Sequence, residues 1–248
     1  MSDQMNIDAR GGNNQIGGSG SSFTQGVSPS AGPAVRSGAP LGDEAREDLP
    51  AYGLYGFADI VGYSKMSTRL QKSSQDYLVE LLDDSLAEAG VQARNVAAQD
   101  QGDARFLTFP GGTDIAKVLA VLPRYLNDEL LSRNLDMAEH ARMQVRLSFT
   151  IGATVRGGTG FAGSAPIAVV RLSNFPLFRR IMTEAQAQCG VIIDDHLYRQ
   201  YVVQRMRPDI RSDDYVPVRV ADAQKDFAEN AWLRLLGYSG QQVALLLS

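Results

Sequence analysis

One apolar run, YGLYGFADIVGY from Tyr52 to Tyr63, narrows the folds open to this chain more than any other segment. Its aromatic and β-branched residues read as a strand, and a period of two puts Tyr55, Phe57 and Asp59 on one face. Asp59 stands where a strand core normally takes Val or Ile. Burying even a neutral polar group without a partner costs on the order of 2–7 kcal/mol, and a carboxylate more. The strand therefore carries a charge that something else must satisfy.

The pattern turns helical from Ser67 onward, where Tyr77, Leu78, Leu81, Leu82, Ser85 and Leu86 repeat at helical spacing. Ser73 or Ser74 offers an internal start or cap, and Gly90 closes the helix. NVAAQDQGDARFLTF predicts two short strands around a polar turn at Gln99 to Gly102. Thr113 to Leu131 is a second amphipathic helix, with Pro123 as a candidate bend. Val145 to Thr154 alternates as a strand and leads into the glycine-rich turn RGGTGFAG. Pro166 to Arg180 predicts a third helix interrupted at Pro176. VIID then predicts a strand, HLYRQYVV a short helix and YVPVRV a late strand. The order β-α-β-β-α-β, then α-β, predicts an α+β fold of ferredoxin-like type, its mostly antiparallel sheet covered by helices on one face.

Residues 1–48 are rich in Gly, Ser, Asn and Pro and predict a flexible tail and linker. Within them NNQIGG resembles short amyloid-type stacking motifs, beside the plainer reading of a disordered tail. Residues 49–224 predict the folded domain. Residues 225–248, with Trp232, Leu233, Leu235 and Leu236, predict a C-terminal helical extension that packs in a core or a dimer. A net charge of −4 provides no chain-wide basic field for nucleic acid. A small anionic substrate would need local Arg or Lys, or metal ions. No apolar run approaches the roughly 20 residues of a membrane span, and no signal-peptide pattern opens the chain. The lone Cys189 forbids an internal disulfide and suits a reducing cytoplasm. With only two histidines beside it, a structural zinc site is not expected.

Asp103, in QGDARFLTF, is the second singular carboxylate. In a β-α-β-β order the first strand and the hairpin lie side by side, so Asp59 and Asp103 can converge. Two carboxylates on neighbouring strand ends make a hard-oxygen site for Mg²⁺ or Mn²⁺. Taken alone, Asp59 also fits a helix cap and Asp103 a plain turn.

FADIVGYSKMS resembles the opening metal-binding strand of class III nucleotidyl cyclases, and QGDARFLTF their hairpin with the second metal Asp. VRLSFTIGATVRGGTGFAGSAPIAVVRLSNF is similar to their strand, glycine turn and Arg-bearing helix. AQCGVIIDDHLYRQY is similar to the strand and helix that follow. The resemblance covers about Tyr52 to Val220. It implies that Asp59, Asp103 and the Ile60 carbonyl hold two divalent ions (Mn²⁺ or Mg²⁺). It implies that Arg171 stabilises charge on the transferring phosphorus, and that the backbone after Asp59, up to Ser64, cradles the triphosphate at a helix N-terminus. The ribose 3′-oxygen would attack the α-phosphorus in line, with pyrophosphate leaving. The two metal Asp residues and the Arg come from opposite protomers in that family, so the resemblance also implies an isologous homodimer with two shared sites.

Adenylate cyclases of this class carry a Lys four residues before the hairpin Asp, an Asp three before the helix-opening glycine, and an Asn four before the helix Arg. This chain has Gln99, Gly160 and Ile167 there. The metal half stands while the purine-reading set is gone. Even spacing expects Tyr55 and Arg105 on the face of their Asp residues, with Phe57 beside them. Bulky side chains there shrink the pocket toward a pyrimidine, and Arg105, a donor only, suits a base carbonyl. Ordinary roles in core and edge strand remain open for Tyr55 and Arg105. The combination is similar to the pyrimidine cyclases of Pycsar anti-phage systems. That resemblance implies a uridylate cyclase converting UTP to cyclic UMP, favoured because an all-carbonyl uracil edge suits Arg donors and uracil is the commoner choice in that family. A cytidylate cyclase making cyclic CMP from CTP is the alternative, and either product would activate a downstream effector. No nucleic-acid or membrane partner is expected. A catalytically dead relative that binds nucleotide or a partner protein is the non-enzymatic alternative.

Overall fold

The strand around Asp59 is β1, Ala51–Ile60. It pairs antiparallel with β3, Ala104–Thr108, on one side and with β4, Val145–Gly157, on the other. The computed structural model describes residues 51–157, 160–222 and 227–248. The expected tail 1–48, its NNQIGG segment and Lys225 lie outside them. Every described residue belongs to one unit, Leu41–Ser248.

Alternation splits β1 between two cores. Leu54, Ala58 and Ile60 pack with α1, Thr68–Glu88, and α2, Ile115–Leu135. Tyr55 and Phe57 pack under α3, Ser164–Ser173. The sheet also contains β2, Ala97–Gln101; β6, Cys189–Asp194; β7, Val216–Asp222; and β8, Phe227–Leu235. Their order is β2-β3-β1-β4-β6-β8-β7, and the short β5, Gly160–Ala162, pairs only with β4. The β2-β3-β1-β4 half is the expected ferredoxin-like arrangement. Only the β4–β6 pairing is parallel.

Helices cover both faces rather than one. Leu172 of α3, Phe178, Ile181 and Met182 of α4 (Pro176–Ala185), and Val243 of α6 (Gly240–Leu247) form a second core with Ile192, Leu233 and Leu235. The reason lies in β6, buried from Cys189 to Ile193. A central strand apolar on both sides needs cover on both faces. Cys189 is a buried residue of that strand. α5, Asp195–Leu197, follows β6 and runs on as a π-helical turn, Tyr198–Val203.

The expected C-terminal helical extension is a strand first. In β8, Phe227, Ala231, Leu233 and Leu235 are buried at even spacing, which is strand periodicity, and only α6 after it is helical. The folded unit thus extends past residue 224 to the end of the chain. The expected third helix is two helices, because Pro176 opens α4 at a position where its missing N–H is harmless. Ser67, not Ser73 or Ser74, caps α1, accepting from the Leu70 N–H; Ser74 is fully buried. The hairpin turn is tighter than expected. β2 runs on through Gln101, and Gly102, with φ 72°, takes the left-handed turn position. No helix among the described residues is long and apolar enough to cross a membrane.

Candidate active site

Asp59 lies near the end of β1, facing α3, directly opposite Ala104 on β3 and Arg146 on β4. Asp59 is 6% exposed and Arg146 1%, and their side chains form an ion pair through Asp59 Oδ2. Arg146 also donates to the Ser173 carbonyl at 2.5 Å, at the end of α3, and lies 5.9 Å from the Phe178 ring centre. Carbonyls at a helix C-terminus favour a cation. Burial pushes the Arg146 guanidinium down to about 10, with Arg179 nearby adding to the effect, so it stays charged at neutral pH. The sheet itself therefore supplies the counter-charge that Asp59 needs. The signal was in the sequence: VRLSFTIG places an Arg in an otherwise uncharged strand segment, the mirror of the Asp in FADIVGY.

Asp103 follows Gly102 in the β2–β3 turn and is half-buried. The Ile60 N–H donates to the Asp103 carbonyl at 3.1 Å, so the two Asp-bearing segments touch through their backbones. The Ile60 side chain belongs to the core under α1 and α2, which leaves only its backbone for the site. Among the described residues no group of three or more His, Cys, Asp or Glu is placed to hold a metal. The donors expected from the resemblance would be two carboxylates and a carbonyl. That suits Mg²⁺ or Mn²⁺, hard ions that take oxygen ligands; Mg²⁺ keeps several waters or substrate phosphates beside one or two protein carboxylates. The residues fit such ions.

On the Asp59 face of the sheet, β2, β3 and α3 enclose a cavity of about 420 Å³, lined by Gln99, Gln101, Phe106, Pro166, Ile167, Val170 and Arg171. Cross-strand register explains the grouping. Gln99 faces Phe106, and Phe106 faces Phe57; Gln101 faces Ala104, and Ala104 faces Asp59. Directly opposed residues share a face, so Gln99, Gln101 and Asp59 lie on the α3 side. Among the described residues Arg171 is the only charged side chain in the lining, and its guanidinium sits 4.7 Å from the Phe227 ring centre. Three positions singled out from the sequence, Gln99, Ile167 and Arg171, thus meet in one groove of one chain. Gln101 and Phe106 were not foreseen there. Gln101 could have been, since it sits two residues from Gln99 on the same strand.

Arg105 is elsewhere. It stands opposite Ala58 and Asp100, so it projects to the α1 face, with ion pairs to Asp83 at 3.3 Å and Asp100 at 3.2 Å. Even spacing from Asp103 misled because Asp103 is in the turn, where strand alternation does not hold. Tyr55 is on the expected face but 2% exposed, its hydroxyl 2.5 Å from Thr154 Oγ1 and its ring 6.1 Å from that of Phe106. Phe57 is likewise buried beneath α3. Neither aromatic lines the groove. The expected phosphate cradle after Asp59 is a turn at Gly62 and a three-residue 3₁₀ segment, Tyr63–Lys65, with α1 starting only at Thr68.

No protein-family model matches the chain and no curated protein matches it. Solved structures do. An adenylate/guanylate cyclase/hydrolase from Silicibacter pomeroyi superposes with a TM-score of 0.55 at 17% identity, over 77% of this chain and 99% of that one. A bacterial light-regulated adenylyl cyclase gives 0.53 at 11% identity, over 81% of this chain and 58% of that one. The guanylyl cyclase Cya2 gives 0.50 at 10% identity, over 76% and 93%. The chain has the fold of a class III nucleotidyl cyclase catalytic domain.

Proposed function

We propose that this chain is a nucleotide cyclase. The observation that carries the reading is the single groove, on the Asp59 face of a cyclase fold, in which Gln99, Ile167 and Arg171 meet. Asp59, Asp103 and the Ile60 carbonyl would hold divalent ions. Bound there, such ions would lower the pKa of the ribose 3′-hydroxyl and neutralise the phosphates. The chain's own part is positioning and charge. Arg171 offers a fixed planar donor fork to a phosphoryl oxygen while the O3′–Pα bond forms and the bond from Pα to the pyrophosphate oxygen breaks. The apolar walls Phe106, Pro166, Ile167 and Val170 exclude water around the base. In a homodimer, the metal half of one protomer would meet the Arg171 groove of the other.

The base is proposed to be a pyrimidine, because Gln99, Ile167 and Gly160 replace the Lys, Asn and Asp of the family's adenine readers. With Arg105 on the other face, its donors give no ground for uracil over cytosine, and UTP and CTP are both kept as candidate substrates. The resemblance to Pycsar cyclases supports cyclic UMP or cyclic CMP as an anti-phage signal to a separate effector. Incubating the chain with each NTP and Mn²⁺ tests the reading; cyclic AMP or cyclic GMP as main product sinks the base argument. One observation favours a second reading, an inactive nucleotide-binding relative: Arg146 already holds Oδ2 of Asp59. Nucleotide binding without turnover would decide for it.

A further inference from the structure

Among the described residues that line it, the groove has one charged side chain, Arg171, and two uncharged polar ones, Gln99 and Gln101. The glutamines are two apart on β2, an exposed edge strand, so their carboxamides project to the same side about two residue rises apart. Neither carboxamide is hydrogen-bonded among the described residues. Beside them on β3 stand Phe106, opposite Gln99, and the small Ala104, opposite Gln101. Across the groove Ile167 offers no hydrogen bond. A base lodged in the groove would therefore meet the two amides and, among the described residues of the lining, no other side chain but Arg171 that can donate or accept.

We propose that Gln101, together with Gln99, is the specificity-determining residue of this site, reading a pyrimidine edge through rotatable carboxamides. This rests on the nucleotide-site reading above and names how the base is read. A carboxamide has two N–H donors on one end and an acceptor on the other, and can turn over. Uracil presents O4 as an acceptor where cytosine presents N4–H₂ as a donor. One amide orientation meets the first, and the flipped orientation meets the second. An amide pair thus accepts both pyrimidines with little discrimination, which a fixed donor such as Lys or Arg does not. An ionised carboxylate in the same place accepts only. Placed at the 4-position of the base, it would pair with the cytosine amino group and oppose O4 of uracil.

The test is binding of 3′-deoxy-UTP and 3′-deoxy-CTP, neither of which can cyclise, by titration calorimetry with Mn²⁺. The wild type should bind both, with dissociation constants within about tenfold of each other. Gln101→Glu should weaken both through repulsion of the triphosphate, and also shift the UTP:CTP ratio toward CTP by about tenfold or more, the effect of one misplaced hydrogen bond to a charged group. Gln101→Leu should weaken both without that shift. Gln99→Glu serves as a second variant should Gln101→Glu fold poorly. An unchanged ratio in the Glu variants, or no binding of either analogue by the wild type, overturns the assignment. Loss of turnover with the ratio shift intact bears only on the proposed cyclase activity.

Discussion

Asp59 on β1 and Arg146 on β4 face each other across one rung of the sheet and share a buried ion pair. They are the charged side chains buried in these two strands among the described residues, and each offsets the desolvation of the other. This pairing changes how any substitution at Asp59 must be read.

Asp59→Ala leaves Arg146 charged and buried without its partner. Removing one member of such a pair costs about 3–5 kcal/mol. Denaturant melts should show a loss of that size for Asp59→Ala and for Arg146→Met. The double change Asp59→Leu with Arg146→Met should recover a large part of it, because apolar replacements remove both desolvation costs together. Additive losses in the double variant would show that the pair is not coupled.

Asp103→Ala is the cleaner catalytic test. Asp103 is half-buried in a turn, and such positions change stability by about 0.5 kcal/mol or less. Cyclic nucleotide production should vanish while the melt stays within that margin. Full activity in a folded Asp103→Ala protein would remove the carboxylate from the site.

Arg105→Ala should cost at most about 1 kcal/mol, as expected for partly exposed ion pairs. It should leave the ratio of cyclic UMP to cyclic CMP as in the wild type, since Arg105 is on the α1 face with Asp83 and Asp100. A changed product ratio would return Arg105 to base recognition.

Asp194 sets a pH dependence. Burial raises its pKa above the ordinary 3.8, and the N–H groups of Leu197 and Ile151, at 2.6 and 3.0 Å, offset that only in part. His196 also lowers it and Asp195 raises it further. The folded state therefore binds its proton more tightly than the unfolded state does. Stability from this group is full below 3.8 and falls as pH rises through the raised folded value. Asp194→Asn keeps an acceptor oxygen and loses the titration. Its stability relative to wild type should rise across that window, and parallel pH profiles for the two proteins would contradict the account.

The sequence was most legible where period and chemistry agreed. The β-α-β-β-α-β order followed from alternation and helical spacing, and β1 turned Tyr55, Phe57 and Asp59 to one face because that strand is regular. Legibility failed where position depended on partners distant in the chain. β8 looked helical because Leu233, Leu235 and Leu236 crowd together, although Phe227, Ala231, Leu233 and Leu235 keep strand spacing. Arg105 was assigned by counting from Asp103, yet only its opposition to Ala58 and Asp100 fixes its face. The Arg of VRLSFTIG signals a buried charge by itself, but only the pairing of β1 with β4 makes it the partner of Asp59. The meeting of Gln99 and Gln101 with Arg171 depends on how α3 crosses the sheet, which no local pattern encodes.

The most direct measurement is product analysis by chromatography and mass spectrometry after incubating the full chain with ATP, GTP, UTP and CTP in turn, with Mn²⁺. The account predicts cyclic UMP and cyclic CMP, each with an equal amount of pyrophosphate, and neither from the Asp103→Ala protein. No cyclic nucleotide from any of the four would contradict it.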